Sequence, residues 1–290
     1  MNIKHIVISG GGPSLIQSIS AIHYLIEQNI IDFDKIETIY GTSAGALIGA
    51  VLCMKINCQI VNDYIIKRPW QDVFKITIKD IFEAYNKKGI FDRKLIEVIF
   101  KPLMYAKNIN MDITLKDFYH LSNIELHVFA FEINNFITED ISYLTHPNLL
   151  LLDAILMSSS IPVLMTPTIM NDKCYIDGGL CVNYPLNYCI NSGKNVDEIL
   201  GFKNYYDADT SYHENKITQQ STLMDFILII LFKVFNTLAN IFIPTIKYEV
   251  KCHVNKISLT YISSYLNSIE LRQEYYQKGI ESAKSFIHEL

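Results

Sequence analysis

Two glycine-containing turns, each placed between an apolar run and a helical pattern, constrain the fold of this chain most. The first apolar run covers residues 3–9 and precedes helical spacing over 14–28, while the second covers 36–40 and precedes helical spacing over 46–54. Short apolar runs beside turn residues indicate buried strands, and apolar positions three and four apart indicate helices. Repeated strand–turn–helix units favour an α/β fold, in which helices cover both faces of a parallel sheet.

The rest of the chain adds helices and strands to this beginning. Residues 60–120 contain no clear strand pattern and predict a helical excursion from the sheet, whereas 124–133 predict a long buried strand. Residues 198–202 and 256–262 are further strand candidates. Because half of the 290 residues are apolar and no low-complexity linker divides the chain, we expect one domain over 1–290.

Charge and cysteine spacing argue against several classes of function. The formal net charge is -5 and the chain has no basic block, so nucleic acid is not an expected partner. No cysteine pair has the Cys-x-x-Cys spacing, and Asp207 with Asp209 lacks the ligand run of a calcium loop, so we expect neither a cofactor nor a metal. The first residues lead into a strand pattern without a signal segment, which favours an intracellular location.

The segment Gly41-Thr42-Ser43-Ala44-Gly45 stands between the second strand and its helix. It matches the G-x-S-x-G pattern, in which a serine occupies a sharp strand-to-helix turn. Such a turn exposes the hydroxyl, the glycines avoid steric clashes, and the helix N-terminus favours developing negative charge. Ser43 is therefore a candidate nucleophile. A small-residue turn that only packs the helix against the sheet is the alternative.

A second glycine-rich segment, Gly10-Gly11-Gly12-Pro13, follows the first strand and opens the first helix. Its glycines would let the backbone approach a ligand closely and direct N–H groups toward it. The residues that follow satisfy neither the dinucleotide-binding motif nor the Walker phosphate motif. An oxyanion hole or a plain tight turn are the two remaining interpretations.

A third segment, Asp177-Gly178-Gly179, comes directly after a strand pattern at residues 174–176. An aspartate at the end of a strand can present its carboxylate into a cleft. Asp-Gly is also a common turn signal, so an ordinary turn is the alternative interpretation.

Together, these three segments resemble the patatin-like phospholipase family, whose pattern is a glycine-rich oxyanion loop, G-x-S-x-G and D-G-[GA]. Four other segments look like landmarks of the same family, namely Gly89-Ile-Phe-Asp-Arg-Lys, Glu125-Leu-His-Val-Phe-Ala, Met157-Ser-Ser-Ser-Ile-Pro and Asn183-Tyr-Pro-Leu. The resemblance therefore extends over most of the chain, from the first strand to the last helix, as expected for one domain.

The resemblance implies a three-layer α/β/α fold with a mostly parallel central sheet, and a phospholipase A type of lipid acyl hydrolase. It implies that Ser43 attacks an ester carbonyl, that Asp177 accepts its proton, and that water hydrolyses the resulting acyl-enzyme. The oxyanion would lie in the loop Gly10 to Gly12, with the N–H groups of Gly11 and Gly12 as donors. The expected substrate is a phospholipid or another acyl lipid.

The chain departs from the family pattern directly after the glycine loop. The family usually has a basic residue and a fourth glycine there, whereas this chain has Ser14 and Leu15. The backbone donors of the loop do not depend on those side chains, so the oxyanion hole can survive. A donor out of place would lower the rate about 10²- to 10³-fold.

Two alternative functions follow from these observations. One is an α/β-hydrolase with serine, aspartate and histidine in that chain order, for which His213 or His253 could serve as the base. Against it, Ser43 lies only one strand–turn–helix unit from the first residue. The other is a catalytically weak lipid-binding or scaffold protein on the same fold, which the departure at Ser14 and Leu15 makes credible.

The segment 223–243 is long enough to reach across a bilayer, but Asp225, Lys233, Asn236 and Asn240 interrupt it and Pro244 ends it. A spanning helix would however place Lys233 near the bilayer centre, at a cost of several kcal/mol. Asn236 and Asn240 fall on the same helical side as Lys233, which favours an amphipathic helix. Its apolar face would either pack on the core or lie at a lipid surface, so peripheral membrane contact is one expectation.

Four aromatic residues of the helical excursion, Tyr85, Phe91, Phe100 and Tyr105, are candidates for the lining of an acyl channel. Ordinary burial preference instead places such residues in the core. The sequence leaves both interpretations open.

Overall fold

The computed structural model describes residues 1–206, 217–219, 221–238, 243–254 and 259–290. Strands in these ranges form one eight-stranded sheet and one two-stranded sheet. The strands are β1 (His5–Ile8), β2 (Thr38–Thr42), β3 (Gly89–Phe91), β4 (Glu125–Glu132), β5 (Ile137–Ile141), β6 (Val163–Met165), β7 (Thr168–Met170), β8 (Lys173–Asp177), β9 (Ile199–Tyr206) and β10 (Tyr248–Val254).

Helices flank the sheet, and their order alternates with the strands in the first part of the chain. They are α1 (Leu15–Glu27), α2 (Ala44–Cys53), α3 (Cys58–Lys67), α4 (Trp70–Val73), α5 (Ile78–Lys87), α6 (Arg93–Ala106), α7 (Leu115–Ser122), α8 (Leu151–Ser159), α9 (Leu186–Asn191), α10 (Leu223–Leu238), α11 (Leu259–Asn267) and α12 (Ile269–Glu289). The expected α/β/α arrangement with a mostly parallel central sheet is confirmed.

The strand order of the large sheet is β10-β9-β1-β2-β4-β8-β7, and β5 pairs with β4 outside this path. The neighbours from β10 to β4 run parallel, while β8 is antiparallel to β4 and to β7. Parallel strands need buried faces, and β1 and β2 are accordingly buried at every position. The two glycine turns therefore follow adjacent strands and lie at the same edge of the sheet.

The register across β4 aligns two turns that are far apart in the sequence. Thr42, the last residue of β2, is opposite Phe129, and Asp177, the last residue of β8, is opposite Ala130. Phe129 and Ala130 are consecutive, so β2 and β8 end at the same level on the two sides of β4. This pairing brings Ser43, the residue after Thr42, toward Asp177.

Two details of the predicted elements differ from the structure. The helical excursion contains the short strand β3, which pairs in parallel with β6 to form the second sheet. The strand expected over 256–262 is wrong where the structure describes it, because α11 begins at Leu259 and the strand before it, β10, ends at Val254. Residues 255–258 lie outside the described ranges. The strand expected at 198–202 is confirmed as β9.

The apolar segment forms the helix α10, and residues 239–242, including Asn240, lie outside the described ranges. Leu228 is buried and Leu231 packs against the cluster of Phe131, Ile176 and Leu180, so one side of α10 contacts the core. Phe226 and Ile230 are exposed, so the core covers only part of the apolar surface of this helix. Among the helices in the described ranges, none combines the length and apolarity that a bilayer crossing requires.

Candidate active site

Ser43 lies on the sharp turn between β2 and α2, in a conformation that is uncommon for a residue with a side chain. Its φ is 53° and its ψ is -120°. Its backbone N–H donates to Ser158 Oγ over 2.8 Å, and Ser158 Oγ donates to the carbonyl of Phe129 over 2.6 Å. Strained backbone persists only where surrounding contacts hold it, and Ser158 provides such a contact between the turn and β4.

The two glycines of this turn are required by close backbone packing. A Cβ atom on Gly45 would lie 2.3 Å from the carbonyl oxygen of Ile8, and one on Gly41 would lie 2.4 Å from the carbonyl oxygen of Gly45. These obstacles are main-chain atoms of β1 and α2, so no side-chain movement could relieve them. We call residues Gly41 to Gly45 the elbow.

The elbow places the Ser43 hydroxyl against the carboxylate of Asp177. Ser43 Oγ donates to Asp177 Oδ2 over 2.6 Å, although the two residues are 134 positions apart in the chain. Both residues are buried. The other carboxylate oxygen, Asp177 Oδ1, accepts from the N–H of Gly179 over 2.7 Å, and the N–H of Asp177 donates to the carbonyl of Ser160. The carboxylate is thus fixed on both oxygens.

Burial raises the pKa of Asp177 to about 6, because a charged carboxylate is less stable away from water. The hydrogen bonds from Ser43 and Gly179 act in the opposite direction and lower this pKa in part. A carboxylate of raised pKa is a stronger base than an exposed one. The environment of Asp177 therefore suits proton acceptance from a serine hydroxyl near neutral pH.

The second glycine turn, residues Gly10 to Gly12, lies beside Ser43, and we call it the glycine loop. A Cβ atom on Gly10 would be 3.2 Å from Ser43 Cβ, which shows how closely the two turns approach. The N–H of Gly10 donates to the carbonyl of Asn183 over 2.9 Å and is thus already engaged. Within the described ranges, the N–H groups of Gly11 and Gly12 have no hydrogen-bond partner, so both remain able to bind an oxyanion.

Side chains from outside the glycine loop hold it in position. Asn204 Nδ2, from β9, donates to the carbonyl of Gly10 over 2.9 Å and to Ser14 Oγ over 3.0 Å. Ser14 Oγ in turn donates to the carbonyl of Gly11 over 2.9 Å. We call Asn204 and Ser14 the polar clamp. Ser14 thus has a structural part in the loop at a position where the family usually has a basic residue.

An apolar cavity of about 600 Å³ opens from the nucleophile. Ser43, Gly12 and Leu15 contribute to its wall. The remaining wall is largely apolar and comes from α2, α3, α4, α6, α11 and the segments around β3 and β6. Its lining residues include Leu47, Ile48, Val51, Phe91, Leu95, Ile96, Phe100, Leu103, Ile161, Leu164 and Met165. The shape and lining suit an acyl chain whose ester lies at Ser43.

The four aromatic candidates divide into two pairs. Phe91 and Phe100 line the cavity, and Phe100 is also fully buried in the core, so both interpretations of the sequence apply to it. Tyr85 and Tyr105 are 90% and 59% exposed, so neither the channel nor the core contains them. The amphipathic pattern of their helices does not by itself reveal whether another element covers the apolar face.

Histidines do not reach the serine–aspartate pair in the described part of the chain. Ser43 donates hydrogen bonds to Ser158 and to Asp177, and the Asp177 carboxylate accepts hydrogen bonds from Ser43 and Gly179. His253 is exposed on β10, and His213 lies outside the described ranges. The described residues therefore present a pair of catalytic candidates rather than a triad.

Several residues that support this site were not singled out by sequence analysis. Ser158, Ser160 and Asn183 belong to segments that resemble family landmarks, but their contacts with the elbow, Asp177 and the glycine loop depend on the folded chain. Asn204 gave no signal, because it lies beyond the strand predicted at 198–202 and only the structure places it in β9.

Known proteins resemble this chain in sequence and in fold. The family model for patatin-like phospholipase matches residues 6–190. A probable lipid hydrolase of Invertebrate iridescent virus 6 is 26% identical over 189 residues, which cover 64% of this chain and 63% of that protein. An uncharacterized protein of Acanthamoeba polyphaga mimivirus is 27% identical over 300 residues, covering 99% of this chain and 95% of that protein.

The crystal structure of VipD from Legionella pneumophila has a similar fold. It matches with a TM-score of 0.56 and 15% identity, covering 100% of this chain and 67% of VipD. At this identity the likeness concerns the fold alone.

Proposed function

The chain belongs to the patatin-like phospholipase family, a family of lipid hydrolases, and we propose that it cleaves a carboxylic ester of a phospholipid with Ser43 as nucleophile and Asp177 as base. The observation that carries this proposal is the 2.6 Å hydrogen bond from Ser43 Oγ to Asp177 Oδ2 at the wall of an apolar cavity. A nucleophile in contact with its base is the arrangement that covalent catalysis requires.

The first half of the reaction forms an acyl-enzyme. Ser43 Oγ attacks the ester carbonyl carbon while its proton passes to Asp177, because a carboxylate is too weak a base to remove that proton beforehand. The carbonyl oxygen gains negative charge, and the N–H groups of Gly11 and Gly12 stabilise it. Asp177 then gives the proton to the leaving alcohol oxygen as the carbon–oxygen bond breaks, and the lysophospholipid departs.

The second half returns the enzyme to its starting state. A water molecule attacks the acyl-enzyme carbonyl while Asp177 accepts a proton from that water. The same N–H groups bind the oxyanion, and the proton passes to Ser43 Oγ as the fatty acid leaves. Throughout both halves, the 600 Å³ cavity would hold the acyl chain away from water.

Labelling with a fluorophosphonate probe tests this proposal most directly. We expect the native protein to be labelled and Ser43→Ala to be unlabelled, because the probe reacts with an activated serine. Ser264→Ala, a change at an exposed serine of α11, is the matched control and should be labelled normally. Labelling of Ser43→Ala at the native rate would show that another residue is the nucleophile.

Fatty-acid release from phospholipid vesicles tests the substrate class. We expect release by the native protein and by Ser264→Ala, and a loss of at least about 10⁴-fold in Ser43→Ala. A native protein that is neither labelled nor active would favour the alternative of a lipid-binding protein on the same fold.

A further inference from the structure

The helix α5 exposes an apolar face that no other described part of the chain covers. Ile78, Ile81, Phe82 and Tyr85 are between 60% and 90% exposed, and α5 has no buried residue. Their spacing of three, four and seven positions places all four on one side of the helix. Single exposed apolar residues are ordinary, but a contiguous exposed stripe of four large ones marks an interaction surface. We call these four residues the α5 apolar face.

Polar contacts stabilise α5 without using this face. At its N-terminus, Thr77 and Asp80 form a reciprocal capping box. On the polar side, Glu83 pairs with Lys79 and with Lys87, each one helical turn away. Because the helix is capped and paired on its polar side, the apolar face remains available for a surface outside the chain.

The cavity that leads to Ser43 is lined by residues that precede and follow α5 in the chain. Ile76, two residues before the helix, and Phe91, in the strand after it, both line that cavity. Ile76 is itself 47% exposed, so it belongs both to the molecular surface and to the cavity wall. The cavity wall therefore reaches the two chain segments that adjoin α5, and no residue of α5 itself lines the cavity.

The charge around α5 is opposite in sign to that of the whole chain. Residues 75–88 contain four lysines and two acidic residues, a formal charge of +2, whereas the chain carries -5. The lysines are Lys75, Lys79, Lys87 and Lys88, and all four are exposed. Lys79 and Lys87 pair with Glu83 on the polar side, so the excess of positive charge lies at Lys75 and Lys88, near the two ends of the helix. Basic residues beside an apolar face are typical of a helix that lies on an anionic lipid surface.

We propose that α5 docks on an anionic phospholipid bilayer, with the α5 apolar face inserted among the headgroups and the cavity open toward the lipid. The movement of a lipid from the bilayer to Ser43 rests on the proposed function, but the docking of α5 itself requires no catalysis. A lipid that left the bilayer beside α5 would move its acyl chain along apolar side chains to Ser43.

Vesicle sedimentation in the Ser43→Ala background tests the docking without lipid turnover. The probe is vesicles of phosphatidylcholine with phosphatidylserine, and the variant adds Ile78→Gln and Phe82→Gln. We expect the partition coefficient to fall about 10- to 100-fold, because two large apolar side chains no longer enter the interface. The matched control replaces two exposed isoleucines elsewhere, Ile60→Gln and Ile169→Gln, and should bind like the parent.

Activity assays with the active enzyme separate this inference from the proposed function. The Ile78→Gln/Phe82→Gln variant should hydrolyse a water-soluble short-chain ester at the native rate but release fatty acid from anionic vesicles about 10-fold more slowly or worse. If the native chain binds vesicles through α5 yet hydrolyses neither substrate, the proposed function fails and the docking stands.

Two results would overturn the docking. One is equal vesicle binding by the α5 variant and the control variant. The other is a native dimer that dissociates in the α5 variant, as measured by analytical ultracentrifugation, since the face would then be covered by a second copy of the chain.

Discussion

The elbow and the glycine loop lie side by side at one edge of the sheet, but they are held in different ways. The elbow is fixed by main-chain contacts, because atoms of Ile8 and Gly45 occupy the space that a Cβ on Gly45 or Gly41 would need. The glycine loop is fixed by side chains, because Asn204 and Ser14 bind its carbonyl groups. The elbow needs the absence of side chains at Gly41 and Gly45 in addition to its bond to Ser158, whereas the glycine loop needs the side chains of Asn204 and Ser14 in addition to its main-chain bond to Asn183.

This difference explains why the chain can depart from the family pattern after the glycine loop, at Ser14 and Leu15, while it keeps the pattern at the elbow. Side-chain hydrogen bonds can be supplied by different residues, so a loop held by Asn204 and Ser14 does not need the usual basic residue. Leu15, in place of the usual glycine, contributes to the cavity wall instead. Main-chain packing at the elbow allows no comparable replacement.

Among substitutions that leave Ser43 and Asp177 in place, the largest effect is expected from Gly45→Ala. The added Cβ would meet the carbonyl oxygen of Ile8, so the elbow or β1 must move. We expect about 3 kcal/mol less unfolding free energy and about 10³-fold less activity, because Ser43 would leave its position against Asp177. Chemical denaturation and ester hydrolysis measure the two effects.

The control for this change is Gly49→Ala in the same helix. Its added Cβ would meet side-chain atoms of Leu126 and Ile39, which can shift, and alanine favours the helix by about 1 kcal/mol. We expect near-native stability and activity. Equal damage from both substitutions would mean that contact with main-chain atoms is not what distinguishes the elbow.

The polar clamp should matter less than the elbow. Asn204→Leu removes the donors to Gly10 and Ser14, so the N–H groups of Gly11 and Gly12 should lose their alignment with the oxyanion. We expect kcat for a soluble ester to fall about 10²-fold with KM nearly unchanged, because the loop binds charge that develops only in the transition state.

Ser14→Ala removes only part of the polar clamp and is the milder variant for comparison with Asn204→Leu. It removes one hydrogen bond to the loop and leaves the contact of Asn204 with Gly10 intact, so its effect on kcat should be smaller. A rise in KM without a change in kcat, in either variant, would show that the clamp shapes the substrate site rather than the oxyanion hole.

The sequence predicts the parts of this site more completely than their supports. Ser43, Asp177 and the glycine loop stand at strand ends with recognisable turn residues, and the resemblance to the family, beyond the local pattern, identifies them together as a candidate site. Their meeting depends on the register of β2 and β8 against β4, which a single sequence does not contain. Asn204 was missed because its role comes from the pairing of β9 with β1.

The apolar helices show a second limit of sequence analysis. Tyr85 was expected in the core or in a channel, yet it is 90% exposed. Helical periodicity identifies an apolar face but not what covers it, since a core, a second protein and a lipid surface all select the same pattern. The same ambiguity applied to α10, where the structure shows one side on the core and other residues exposed.

The buried carboxylate of Asp177, beside the elbow, lowers the stability of the folded protein when it is charged. Burial raises its pKa to about 6, whereas an unfolded chain has a value of about 3.9, so folding takes up a proton between these two pH values. The folded state is therefore fully stabilised by this group below about pH 4 and loses that contribution as the pH rises through 6.

Asp177→Asn should reveal this cost. At pH 8 we expect the variant to be inactive but more stable than the native protein by about 2 kcal/mol, because the uncharged amide avoids the burial of a carboxylate. The difference, measured by denaturant unfolding, should shrink as the pH falls from 6 to 4. A variant that is less stable at pH 8 would indicate that the hydrogen bonds from Ser43 and Gly179 outweigh the burial.

The pH dependence of activity is the smallest expected effect. It distinguishes the Ser43–Asp177 pair, which contains a titrating carboxylate, from the glycine loop. Asp177 must be ionised to accept the proton of Ser43, so kcat/KM for a soluble ester should fall about 10-fold per pH unit below about pH 6. The glycine loop contributes only backbone N–H groups, which do not titrate. Asn204→Leu should therefore lower the whole profile without moving its midpoint, and His253→Ala should leave both unchanged. A midpoint that moves with Asn204→Leu would contradict this division, because it would place a titrating group under the control of the clamp.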